Sequence, residues 1–105
     1  MKKNSHNDEM FVGVVRLEIL IPSAFSLKDK RNVLRGVKDS VFSKTGVRIA
    51  ELGGDDKWNF TALGFAVVSS RETEVKKWVE DVLRILNENN EIEVINKGID
   101  YFKYK

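Results

Sequence analysis

Four cations at helical spacing, Lys28, Arg31, Arg35 and Lys38, with Lys30 nearby, are the residues of this chain best suited to chemistry with a partner. Cations recurring at this interval line one flank of a helix, where they can meet successive phosphates of a nucleic acid. Arg48 follows soon after. Residues 26–48 hold seven of the 18 Lys and Arg residues against only Asp29 and Asp39, a local net of +5 in a chain whose total is +2. A nearly neutral protein with one basic helix offers a preferred side to an anionic partner. Phosphate contacts position a protein without reading base sequence, so binding of this kind is salt-sensitive. RNA or the ribosome is the partner this pattern suggests. The competing explanation is a solvated helix face.

Other constellations fall short of a catalytic or metal site. The single histidine, His6, lies in a polar N-terminal stretch that gives a triad or a metal ligand set no frame. The chain has no cysteine, which removes disulfides, thiol catalysis and thiolate–metal sites. Glu51, Asp55 and Asp56 have the chemistry to hold a hard cation, but Gly53 and Gly54 beside them indicate an exposed acidic turn. Gly13-Val14-Val15-Arg16 has the residue types of a phosphate loop, yet its arginine lies in mid-strand and the glycine-rich turn is missing. Gly64-Phe65-Ala66-Val67-Val68 and Phe11-Val12-Gly13 look superficially like the paired strands of an RNA-recognition motif. That module needs exposed rings on both strands. Here Val67 replaces the second ring, and Phe65 is expected to pack inward. No catalysis, cofactor, metal or small-molecule substrate is expected.

The elements that must hold the cations follow from hydrophobic period and turn chemistry. Residues 1–9 are polar and are expected to form a flexible tail ahead of a single domain, residues 10–105. Phe11, Gly13, Val15, Leu17, Ile19 and Ile21 alternate along one face of a first strand that Pro22 closes, with Arg16 and Glu18 opposite. Ser26 is a suitable N-cap for the basic helix, Asp29 completes an acidic capping box, and Gly46 supplies the stop. Leu27, Leu34, Val37 and Val41 share its apolar arc. Lys30 falls inside that arc, so it must snorkel or meet a partner.

A short second strand is predicted over residues 47–52, a turn at 53–57 and a third strand over 58–69. Ser69 and Glu72 predict a second capping box. A second helix then runs to about Asn89 with Val75, Trp78, Val79, Val82, Leu83 and Leu86 on its apolar side. Residues 91–95 predict a last strand, continuing through Ile99 to Tyr104. Trp58 and Trp78 are expected to be packing anchors.

The order β-α-β-β-α-β predicts an α+β, ferredoxin-like split βαβ fold: a four-stranded antiparallel sheet with both helices on one face. The other face is then open. Val12, Val14 and Leu20 would lie on it beside Arg16 and Glu18, and Tyr101, Phe102 and Tyr104 would crowd an edge strand. These six apolar and aromatic residues are the candidate protein interface, and a homodimer is the expected assembly. A protein-interaction or assembly module is therefore the alternative to RNA contact. The longest apolar-rich run, residues 10–22, is broken by charge and too short to span a bilayer as a helix. A cytoplasmic, non-membrane protein is expected.

From Met10 onward the chain resembles the YlxP-like family of small bacterial proteins of uncharacterised function. The matching pieces are Met10-Phe11-Val12-Gly13-Val14, Leu17-Glu18, Ile21-Pro22 and Ser26-Leu27-Lys28-Asp29-Lys30-Arg31. Ala50-Glu51, Asp56, Trp58 and Leu63-Gly64-Phe65-Ala66-Val67-Val68-Ser69 continue the match. The resemblance implies the ferredoxin-like fold and an association with translation, and it brings no established activity. Family members carry a histidine in the turn before that aspartate and tryptophan, where this chain has Gly54.

Overall fold

A computed structural model describes residues 9–54 and 56–105 of the chain. The elements are β1 (Met10–Leu20), α1 (Leu27–Thr45), β2 (Ala50–Gly53), β3 (Phe60–Ser69), α2 (Glu72–Asn87) and β4 (Glu93–Tyr104). The strands form one sheet in the order β2-β3-β1-β4, with every neighbouring pair antiparallel. This is the ferredoxin-like α+β arrangement expected from the element order. The expected N-terminal tail, apart from Glu9, lies outside the described residues, as do His6 and Asp55.

β1 is central because its alternation gives it one face for the helices and two long partners. Val15, Leu17 and Ile19 are buried against α1 and α2, together with Leu63, Phe65 and Val67 of β3. Leu34, Val37 and Val41 supply the core stripe of α1, and Val75, Val79, Val82 and Leu86 that of α2. Each fully buried aliphatic side chain stabilises the fold by about 1.5–3 kcal/mol relative to exposure. At Gly13 the sheet backbone and α2 come close: a Cβ there would lie 2.9 Å from Val75 Cγ1 and 3.0 Å from Val79 Cγ2.

The ends of α1 are those its sequence specifies. Ser26 Oγ accepts from the Asp29 N–H at 3.0 Å, and Asp29 Oδ2 accepts from the Phe25 N–H at 3.0 Å. Gly46 takes the left-handed conformation (φ 76°) and donates to the Phe42 carbonyl at 2.7 Å. Leu27, expected on the apolar arc, is exposed.

α2 starts differently from the capping box expected of it. Arg71 occupies the N-cap position and makes no side-chain cap hydrogen bond. Ser69 instead donates to Glu74 Oε1 at 2.6 Å and accepts from the Arg71 N–H at 3.2 Å, tying the end of β3 to the first turn of the helix. Trp78 packs against the core as expected. Trp58 does not: it lies in the β2–β3 connection with half its surface exposed (50%).

β4 is a single strand of 12 residues, longer than the segment predicted first. Its pairing with β1 shifts register between Glu18 and Ile19, whose partners are Asn96 and Val94, so Ile95 is an extra residue in the strand. Beyond that bulge Tyr101 lies opposite Gly13 on the helix-covered face, whereas Phe102 lies opposite Val12 on the open face. Among the described residues, no helix is long and apolar enough to cross a membrane.

Candidate nucleic-acid interface

The 19-residue α1 turns its apolar stripe to the core and leaves the opposite flank to solvent. Lys28, Arg31, Arg35 and Lys38 fall within an arc of about 80° at 100° per residue, and they extend along about 15 Å of the axis at 1.5 Å per residue. Lys28, Arg31 and Arg35 are exposed. None of the three makes an ion pair with a described carboxylate; Arg35 is steadied by Asn32 Oδ1, which accepts from its Nη1 at 3.4 Å. Lys38 is half-buried and pairs with Glu51 of β2 at 2.8 Å. Glu51, considered above as a cation ligand, is therefore engaged by a lysine. Among the described residues, no three acidic or histidine side chains gather as a metal site.

Lys30 is not part of this surface. It is 5% exposed, and its Nζ donates to the backbone carbonyls of Gly54 and Lys57, the latter at 2.7 Å. The apolar arc carries this side chain under the β2–β3 turn, where it donates to two carbonyls of that connection, of which that of Gly54 also accepts from the Lys57 N–H at 3.0 Å. Its candidacy as a phosphate contact is therefore corrected: Lys30 is a structural residue.

Two exposed rings, overlooked in the sequence, lie at the ends of the basic stripe. Phe25 is 79% exposed just before the N-cap of α1. Phe42 is 44% exposed in the last turns, and the Arg48 guanidinium carbon sits 4.5 Å from its ring centroid. Helical spacing was enough to find Phe42, which falls between Arg31 and Arg35 on the helical wheel. Phe25, outside the helix, had no such signal. Arg48 joins the stripe through this stack, since it follows α1 in the chain.

The candidate interface residues divide between two faces. Val12, Val14 and Leu20 lie on the open face with Phe102, and Tyr104 lies opposite Met10 at its end. Tyr101 faces α2, with Lys76 Nζ 5.6 Å from its ring centroid. Grouping Tyr101 with Phe102 and Tyr104 is thus corrected by the alternation of β4. The open face bears no pair of stacking rings on β1 and β3: Phe65 points into the core and is 7% exposed.

The sheet order and the two helices on one side define a ferredoxin-like α+β protein. The family model described as a protein of unknown function, DUF503, matches residues 12–98, and the chain belongs to that family. It is 38% identical over 82 residues to the uncharacterized protein YlxP of Bacillus subtilis (strain 168), a match covering 78% of this chain and 89% of that one. Among solved structures, the de novo designed protein Foldit4 aligns with a TM-score of 0.47 at 10% identity, covering 93% of this chain and 98% of that one.

Proposed function

We propose that this protein is a non-catalytic binding module that holds RNA against α1. Lys28, Arg31 and Arg35 direct cations at phosphates, Lys38 and Arg48 extend the track, and Phe25 and Phe42 offer rings to unpaired bases. The observation that carries this reading is the run of three exposed cations with no carboxylate partner among the described residues, bracketed by exposed aromatics. A basic track interleaved with rings is the arrangement that binds single-stranded nucleic acid with little sequence preference. The association with translation implied by the family resemblance makes ribosomal RNA the first to try, and a cytoplasmic location accompanies that reading.

The test is binding of the purified protein to ribosomal subunits and to short RNAs, both single-stranded and structured, at two salt concentrations. An Arg31→Glu/Arg35→Glu variant is measured alongside, with its fold checked by circular dichroism. Binding that weakens with salt and is lost in the folded variant supports the proposal. Absence of binding by the wild-type protein at low salt sinks it.

A further inference from the structure

Opposite the helices, the sheet exposes a surface that the RNA reading does not use. The outward positions of β3 are Phe60, Ala62, Gly64, Ala66 and Val68, and Ala50 and Leu52 continue the same surface on β2. No polar side chain interrupts this half of the face, though Ala62 and Gly64 are already covered within the protomer, Gly64 by Leu52. Leu52, Val68 and Phe102 are 51, 50 and 47% exposed, and Val14, Met10 and Tyr104 are also exposed. A contiguous apolar patch of this kind marks an interaction site.

We infer that the face is covered by a second copy of this chain, the two sheets stacked with their helices outward. Size fits, and charge argues against an anionic cover. At about 3.4 Å per residue and about 4.8 Å between strands, the four strands offer roughly 600 Å² in projection, before side-chain relief is added. A standard interface buries about 800 Å² per partner. The charged groups of β1 on this face, Arg16 and Glu18, already pair with each other at 3.6 Å. β4 adds the carboxylates of Asp100, opposite Val14, and Glu93, opposite Leu20, so the face is acidic on balance and repels phosphate or an anionic lipid surface; in a stacked pair these carboxylates lie towards the β4 side and must be kept apart. Residues 1–8 contain only Met1 as an apolar side chain and are too polar to provide the cover.

Edge-to-edge pairing through β4 fits less well. Lys97 and Lys103 lie opposite Leu17 and Phe11, so both are on the helix side of the edge strand, and the bulge at Ile95 interrupts its pairing pattern. Lysines on an edge and a bulge within it are devices that oppose strand addition. The stacked arrangement leaves β4's outer edge free.

The mass of the protein in solution, measured by sedimentation over a range of concentrations, tests the inference. The expected mass is twice the 12.0 kDa of the chain. Val68→Glu and Phe102→Glu, at sites already exposed in the protomer, are expected to halve it while circular dichroism and thermal melting remain those of a folded protein. Lys97→Glu is expected to leave the dimer intact. A wild-type protein that stays monomeric at every concentration overturns the inference. So does a dimer that survives both face substitutions, or one that is lost only in the edge variant. RNA binding is not read in this experiment, so the proposal for α1 stands or falls separately.

Discussion

Lys30 Nζ donates to the Lys57 carbonyl across 27 residues of sequence, at 2.7 Å. The same group reaches the Gly54 carbonyl, and Thr61 Oγ1 donates to the Gly53 carbonyl at 3.0 Å. Three carbonyls, one at the end of β2 and two in the β2–β3 connection, thus accept from side chains that are themselves buried. Lys30→Met keeps the length and apolar stem but removes the donor. A hydrogen bond from a charged donor contributes about 1.5–3 kcal/mol, and the variant should lose stability in that range. Urea unfolding measures it, and faster amide exchange at Phe60 and Thr61 would localise the effect. RNA affinity, on the proposal above, should change far less than in Arg31 or Arg35 variants.

The cations and rings of α1 should separate in their response to salt. Arg35→Ala removes one phosphate-directed charge and should reduce the slope of log affinity against log salt by about 0.7, the value for single strands. Phe42→Ala should weaken binding by about 1–3 kcal/mol if its ring stacks on a base, with little change in that slope. Salt titrations of both variants against one unstructured RNA make the comparison. Equal slopes for Arg35→Ala and wild type would count against phosphate contact at that position.

Gly13 is the point where β1 meets α2 most closely. An added Cβ would lie 2.9 Å from Val75 Cγ1, 3.0 Å from Val79 Cγ2 and 3.2 Å from Tyr101 Cε1. Both valines are β-branched and packed, so neither can swing aside freely. Gly13→Ala is therefore expected to destabilise the protein by about 1–3 kcal/mol through overpacking. A fall in the urea midpoint with unchanged denaturant dependence is the expected result, and an unchanged midpoint would refute it.

Asp81 on α2 accepts from Lys77 Nζ at 3.0 Å and from Arg84 Nη1 at 3.0 Å. The hydrogen bond from Lys77, then that from Arg84, holds its carboxyl below the ordinary value. The unfolded chain therefore takes up this proton first as pH falls. Stability from Asp81 is complete above the ordinary carboxylate range and is lost as pH drops through the lowered folded value. Asp81→Asn should remove that part of the acid dependence, seen as a flatter decline of the urea midpoint with falling pH. Identical acid profiles for the two proteins would rule the contribution out.

Local signals carried much of the fold. Ser26 and Gly46 bound α1 through contacts within a few residues, and the alternation of β1 stated which of its residues are buried. The failures are those of longer range or competing local bonds. Lys30 looked anomalous in its apolar arc, but its acceptors lie 24 and 27 residues further on and became neighbours only when β2 and β3 paired. Ser69 had the type and spacing of a cap, yet its Oγ accepts from the Arg71 N–H, ahead of the helix, and donates to Glu74. Tyr101 could not be assigned a face because the extra residue Ile95 changes the parity of β4 partway along. The basic stripe itself was visible from spacing alone. Its division into free, paired and buried cations required the neighbours that folding brings.

β1 is made before either of the strands it needs. Its partners begin at Phe60 on one side and Glu93 on the other, so both ladders close over long stretches of chain, a topology that slows folding. During synthesis the strand must wait, with both edges unpaired until β3 has emerged and one edge still open until β4 has left the ribosome. An alternating run of valine, leucine and isoleucine in that condition is prone to join its neighbours. Arg16 and Glu18 fall in the middle of the run, so the nascent strand carries its own gatekeepers through the interval in which it is most exposed.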